Sequence, residues 1–361
     1  MRKFASCTFL LNTPYLLRAY NGFGITTQYY IPVTSTRVSI TYRKHIDAGS
    51  FRNQSVYVRL PTVPTKSDKT LLSTLDKRVD MRALCATDLS AASEAAIENE
   101  TCLKCLGRIG IDTIHLVTVV PANVHSGMPG VNFEERRQQG LDQYQTVIEA
   151  AGFDVETHVV RGTPYRRING IAETVHADVS VVGSRGQSPL ENRIIGSTAR
   201  NLARTTVVPL LVNRVERATD DPDVLREHLF QRILFATDFS ENADRAFDAF
   251  SYLRHATEEA TLVHVRSPKD EGVDGDISPQ EKLAEHASTL ENWGIETRIE
   301  VRHGDPADEI LAVEAEVTPS TILVGSKGRS RIRRLLLGSV SEEVVAQATG
   351  NVFLVPPPRA V

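Results

Sequence analysis

Val179-Ser180-Val181-Val182-Gly183-Ser184-Arg185-Gly186, nine further residues and then Gly196-Ser197 return later as Thr321-Ile322-Leu323-Val324-Gly325-Ser326-Lys327-Gly328, nine residues and Gly338-Ser339. Each copy runs from an apolar, β-branched stretch through a glycine loop into a helix-like stretch. A glycine-rich loop between a strand and a helix N-terminus leaves backbone N–H groups and the positive end of the helix dipole facing an anion, so a phosphate can sit there. One such match is weak evidence, but two with identical internal spacing are strong.

The repetition reaches well beyond the glycines, as self-comparison shows. Arg161-Gly-Thr-Pro164 through Ser197-Thr198 aligns without gaps to His303-Gly-Asp-Pro306 through Ser339-Val340, at an offset of 142. Upstream, Arg82-Ala-Leu-Cys-Ala-Thr-Asp88-Leu-Ser90 matches Arg232-Ile-Leu-Phe-Ala-Thr-Asp238-Phe-Ser240 at an offset of 150, and Leu116–Val119 matches Leu262–Val265 at 146. Two four-residue insertions in the first copy account for the drift. Each copy reads as a strand ending in Thr-Asp-x-Ser, an Ala-rich helix (Ala91–Leu106; Ala243–His255), a strand and a polar helix (Glu134–Ala151; Pro279–Trp293). A strand to a Gly-x-Pro turn, a short helix, the glycine-loop strand, a helix and a last apolar strand follow (Val207–Val212; Val352–Val355). Strands alternating with helices predict βαβ units and a parallel sheet, with ligands beyond the strands' carboxyl ends. Asp88, Asp238 and both glycine loops fall at such ends.

The Thr-Asp-x-Ser, the Gly-x-Pro and the Val-Gly-Ser-x-Gly with its distant Gly-Ser together resemble the universal stress protein (UspA-type) family, over residues 81–215 and 229–361. The resemblance implies two tandem flavodoxin-like αβα domains, each with a five-stranded parallel sheet, packed together as a pseudo-dimer. It implies an adenine nucleotide, ATP with or without Mg, as ligand, since the glycine motif with its serine marks the family's ATP binders. It also assigns the ends of the second strands, Val119 and Val265, to the place where the backbone meets the adenine.

Composition separates a further piece. Residues 1–80 carry twelve Lys or Arg, four Asp and no Glu, a net +8, while residues 81–361 carry 29 basic and 41 acidic residues, a net −12. The acidic repeats argue against nonspecific nucleic-acid binding. The extension up to Asp80 has no evident strand or helix period and reads as a poorly ordered tail; Met81, just before the first strand, is an alternative start of translation. The opening Met1–Leu11 only loosely resembles a secretory signal, its apolar core being short and interrupted. No run of eighteen apolar residues occurs, so no membrane segment is expected, and a cytoplasmic location fits. Glu216–His228 reads as a charged linker.

The residues expected to hold the nucleotide are Asp88, Gly183, Gly186, Gly196 and Ser197 in the first repeat, and Asp238, Gly325, Gly328, Gly338 and Ser339 in the second. The aspartates suit a ribose. The glycines of the loops suit positive φ and close backbone approach. Gly196-Ser197 and Gly338-Ser339 suit phosphate at a helix start. Lys327, Arg329, Arg331, Arg333 and Arg334 make the second loop more cationic than the first, which has Arg185, Glu191 and Arg193. His115 and His264 read as buried core histidines. Cys102-Leu-Lys-Cys105 lies in a helix without further metal ligands in sequence and reads as packing. No catalytic triad order, paired carboxylates, metal cluster or P-loop stands out. The expected role is regulatory nucleotide binding with an unidentified protein partner, the pseudo-dimer itself open to further dimerisation. A non-binding interaction module and an adenine-nucleotide α-hydrolase-type enzyme are the alternatives.

Overall fold

The protein is described from a computed structural model covering residues 9–13, 16–20, 26–30, 37–46, 50–59, 81–90, 100–122, 132–184, 195–214, 228–267, 278–328 and 337–358. Residues 1–77 and 78–361 form two separate units.

The first unit contains strands, where the sequence reading expected none. β1 (Phe9–Thr13), β2 (Leu16–Tyr20) and β3 (Thr26–Tyr30) make an antiparallel sheet, and β4 (Arg37–Ile46) pairs antiparallel with β5 (Ser50–Arg59). The signal was local. Arg37-Val-Ser-Ile-Thr-Tyr42 alternates β-branched or aromatic residues with polar ones, the period of a strand.

The second unit is one ten-stranded sheet. The first repeat contributes β6 (Met81–Ala86), β7 (Ile111–Val120), β8 (Asp154–Arg161), β9 (Val179–Gly183) and β10 (Leu210–Asn213). The second contributes β11 (Arg232–Ala236), β12 (Glu259–Arg266), β13 (Glu296–His303), β14 (Thr321–Gly325) and β15 (Asn351–Val355). The order across the sheet is β13-β12-β11-β14-β15-β10-β9-β6-β7-β8. Within each repeat all strands are parallel, in the order third-second-first-fourth-fifth, so the winding reverses between the first and fourth strands. The repeats join where β10 runs antiparallel to β15, with Leu211 opposite Phe353 at the centre. The expected last strands are therefore the pairing surface.

The helices are α1 (Glu100–Arg108), α2 (Phe133–Ala150), α3 (Pro164–Thr174), α4 (Ser197–Thr205), α5 (Glu241–Asp248), α6 (Phe250–Leu253), α7 (Pro279–Glu291), α8 (Pro306–Val317) and α9 (Ser339–Gln347). The stretch expected as one helix over Ala243–His255 is two, broken at Ala249. Proline opens α3, α7 and α8, where its missing N–H costs nothing. Ser278 and Glu281 form a reciprocal capping box on α7. Inner strands are covered on both faces, which explains runs such as Ile114–Val120 that are buried throughout. One apolar core lies under α1, α2, α5, α6 and α7, and the other under α3, α4, α8 and α9; both run continuously across the two repeats. At the junction Phe230 packs edge-on against Phe353 at 6.0 Å, and an Arg204–Glu342 ion pair ties α4 to α9. Arg214 N–H also donates to Asn351 Oδ1 at 2.9 Å.

Candidate functional site

Thr-Asp-x-Ser builds the same turn twice. The Thr87 and Thr237 N–H groups extend the sheet to Val117 O (2.9 Å) and Val263 O (3.0 Å). Their hydroxyls then accept from Leu89 N (3.0 Å) and Phe239 N (2.9 Å), and Asp88 Oδ1 and Asp238 Oδ1 accept from Ser90 N (3.1 Å) and Ser240 N (3.0 Å). Leu89 and Phe239 are left at φ of 59° and 55°. That region costs a side-chain-bearing residue roughly 1–3 kcal/mol. Both copies hold the strain at the same point, beside the carboxylate.

The glycine loops differ from the expectation in their reason. Among the described residues, Gly183, Gly325 and Gly328 do not have positive φ; Gly186 lies outside the described residues. In the second repeat the glycines answer to space instead. A Cβ on Gly325 would lie 2.4 Å from Asn242 Nδ2, and one on Gly328 would lie 2.6 Å from Asp238 Oδ2. Buried Asn242 holds this loop, donating to Lys327 O (3.1 Å) and Val355 O (3.2 Å). Positive φ occurs instead in the Gly-x-Pro turns, at Gly162 (143°) and Gly304 (149°).

Gly338 is different again. A Cβ there would reach no atom closer than 3.6 Å, and its nearest neighbours are the backbone of Ser326, Lys327 and Gly328. Among the described residues, no packing demands this glycine. Gly338 N–H donates to Ser326 O at 2.7 Å and Gly196 N–H to Ser184 O at 2.8 Å, which fixes each helix start beside its loop. Gly338 and Gly196 are the N-caps of α9 and α4, so no side chain caps either helix. An N-terminus without a side-chain cap presents N–H groups to whatever lies in front of it.

In the second repeat this space is a cleft of about 260 Å³. Asp238, Val265, Gly325, Gly328, Gly338 and Ser339 all line it. It sits at the carboxyl ends of β11 and β14, where the winding reverses, the usual ligand position in such sheets. Its lining combines apolar Val263, Val265, Ile310 and Val324 with Asp238, Lys327 and the helix start. Buried His264 also lines it, its Nδ1 bonded to Thr237 O at 2.8 Å and its ring 4.5 Å from that of Phe239. In the first repeat Asp88, Val119, Gly183, Gly196 and Ser197 hold the matching places after β6, at the end of β7, at the end of β9 and at the start of α4. There Arg137 Nη1 donates to Asp88 O at 2.7 Å and Thr118 Oγ1 at 3.2 Å, a cation with no sequence signal. Arg185, Glu191, Arg193, Arg329, Arg331, Arg333 and Arg334 lie outside the described residues.

Burial pushes the Cys102 thiol up to about 12 and raises that of Cys105 too, and Cys105 Sγ lies 3.5 Å from His228 Nδ1. His115 is not a lone core histidine. Its Nδ1 lies 3.2 Å from His158 Nε2 and 3.5 Å from Glu156 Oε2. Sequence reasoning missed this group because it weighed His115 alone. The signal was Glu156-x-His158, whose spacing puts both side chains on one strand face.

Known proteins agree with this architecture. A universal stress protein of Mycolicibacterium smegmatis is 26% identical over 300 residues, covering 76% of this chain and 96% of the relative. Universal stress protein MJ0531 of Methanocaldococcus jannaschii is 28% identical over 153 residues, 37% of this chain and 86% of its own. A crystal structure of a universal stress protein from Archaeoglobus fulgidus superposes with a TM-score of 0.60 at 26% identity, covering 76% of this chain and 98% of that one. The sequence model of the universal stress protein family matches residues 81–214 and again 229–356. The chain belongs to the universal stress protein family, in a form that carries the domain twice.

Proposed function

We propose that the protein binds an adenine nucleotide, with ATP the favoured ligand, and that occupancy regulates its contacts with a partner. The observation that carries this reading is the convergence of Asp238, Val265, Gly325, Gly328, Gly338 and Ser339 on one cleft. The apolar part of the lining suits a base. The Asp238 carboxylate suits a ribose hydroxyl. The start of α9 and the glycine loop suit phosphates, with Lys327 adding charge. The ionisable groups among the described lining residues are Asp238, His264 and Lys327. His264 Nδ1 is engaged with Thr237 O, and Asp238 Oδ1 with Ser240 N. This suits holding a nucleotide better than rapid turnover. The first repeat supplies a second, weaker site through Asp88, Val119, Gly183, Gly186, Gly196 and Ser197. The test is calorimetry of ATP, with and without Mg, on the full chain stripped of small molecules. Two binding events are expected, the tighter removed by substitution in the second repeat. No heat at millimolar ATP would place the protein among non-binding interaction modules.

A further inference from the structure

We propose that His115, Glu156 and His158 form a site for a divalent transition cation of the zinc class, on the outer strands of the first repeat. The three side chains come from paired residues. His115 on β7 stands opposite Glu156 on the edge strand β8, and His158 is two residues further along β8. Their donor atoms all lie within 4.8 Å of one another.

The spacing fits a shared ligand. Zinc–nitrogen distances near 2.0–2.1 Å in a tetrahedral site put two donors about 3.3 Å apart. His115 Nδ1 stands 3.2 Å from His158 Nε2 and 3.5 Å from Glu156 Oε2. The Glu156 side chain is 65% exposed and free to swing the remaining distance, while His115 is only 5% exposed and fixes the site from below. Imidazole and carboxylate are a donor set for zinc, cobalt or nickel.

A proton serves this arrangement less well than a metal. One proton between the imidazoles satisfies a single pair and leaves the Glu156 carboxylate aimed at the same nitrogen; one cation satisfies all three. Arg82 on β6 is the opposing influence, but its guanidinium donates to Val175 O at 3.0 Å, and Glu156 offsets its charge.

The second repeat shows what the same positions hold when no such site is built. In matching register stand Thr261, Arg298 and Glu300. Glu300 is bridged there by Arg298 at 2.5 Å and Arg302 at 2.7 Å, and Arg302 also pairs with Glu316. An internal ion network closes that patch, whereas the first repeat presents three metal donors. Among the described residues, none offers a hydrogen bond to the buried His115 Nε2. Ligating histidines ordinarily have one, and its loss costs roughly 10–100-fold. Moderate affinity is therefore expected, and the open fourth position leaves room for water.

The experiment uses the full chain without an affinity tag, stripped with a chelator and titrated with Zn²⁺ against a chromophoric competitor, then with Co²⁺ followed by visible absorption. One equivalent of Zn²⁺ is expected, with the absorption of tetrahedral cobalt. His158→Asn should weaken it more than about a hundredfold, the upper limit for losing even an outer partner. Glu156→Gln, at an exposed position, should also weaken it and keeps the test independent of folding. Circular dichroism confirms that both variants fold. A Cys102→Ser, Cys105→Ser double variant should bind as before. Absence of stoichiometric binding, insensitivity to both the His158 and Glu156 changes, or loss in the cysteine variant would each overturn the proposal.

Discussion

Replacing Gly338 by alanine separates binding from folding. The added Cβ would lie 3.6 Å from Gly328 N and Ser326 O and 3.7 Å from Lys327 Cα, all ordinary contacts. The φ of −71° suits any residue. Alanine is a poorer N-cap than glycine, by about 1 kcal/mol or less, so the variant should lose no more stability than that. Its methyl group, however, fills the gap between the start of α9 and the glycine loop, both of which line the cleft. A phosphate kept from that gap loses one or more charge-assisted hydrogen bonds to backbone N–H groups, each worth about 1.5–3 kcal/mol. At 1.4 kcal/mol per decade, one such bond is roughly a 10- to 150-fold weakening of ATP binding. Calorimetry with ATP and urea unfolding on the same preparation read the two quantities. Gly328→Ala is the contrast: its Cβ would stand 2.6 Å from Asp238 Oδ2 and must displace the carboxylate, so binding and stability should fall together. If Gly338→Ala binds ATP within about threefold of the parent, or loses several kcal/mol of stability, the gap is not a phosphate site and the reasoning fails.

Phe353→Ala empties a fully buried position at the junction, opposite Leu211 and edge-on to Phe230, and should cost about 3–5 kcal/mol in urea unfolding. A cost under 1 kcal/mol would mean the repeats do not depend on their shared strand pair. Glu314 is buried and accepts from Thr349 N, Thr349 Oγ1 and Gly350 N at 2.9, 3.0 and 2.7 Å; Glu314→Ala should cost at least about 1.5–3 kcal/mol. His286 stacks on Phe247 at 4.1 Å, and burial lowers its pKa from 6.5 despite Asp244, Asp248 and Glu285 nearby. The unfolded chain then takes up the proton first, so this contribution is complete above pH 6.5 and is lost as pH falls through the folded value. His286→Leu should flatten the acid side of the stability profile, and an unchanged profile would show that the ring is not held neutral. A chain starting at Met81 should melt as the full chain does, since residues 1–77 are a separate unit; a lower melting temperature would tie the extension to the fold.

The fold was legible because the repeat was. Two copies of each motif fixed the element order, and Val- and Ile-rich runs marked strands buried on both faces. The second-repeat cleft was legible for the same reason: Asp238, Gly325, Gly328, Gly338 and Ser339 recur in fixed spacing. What the sequence hid was the reason for each glycine. Gly325 and Gly328 are small because Asn242 and Asp238 press on them, and such a neighbour across the fold leaves no local pattern. Arg137 near Asp88 was hidden likewise, since helix and turn meet only in three dimensions. The His115–Glu156–His158 group needed the β7–β8 register, which is set by the sheet and not by either strand alone. In the extension the alternation of Arg37–Tyr42 was local and visible, but the charge and composition of residues 1–80 outweighed it in the reading.

The antiparallel pairing of β10 with β15 places an approximate two-fold axis through one polypeptide. In a dimer of identical chains every substitution is made twice, and a change that suits one partner is imposed on the other. Here the halves are joined and stay at high effective concentration whatever the amount of protein. Each is free to drift while the Leu211–Phe353 contact keeps them together. The divergence is already visible at three matched positions, where one half carries two imidazoles and a carboxylate and the other a guanidinium–carboxylate lattice. Carrying both halves in one chain releases two copies of a symmetric machine from having to stay alike.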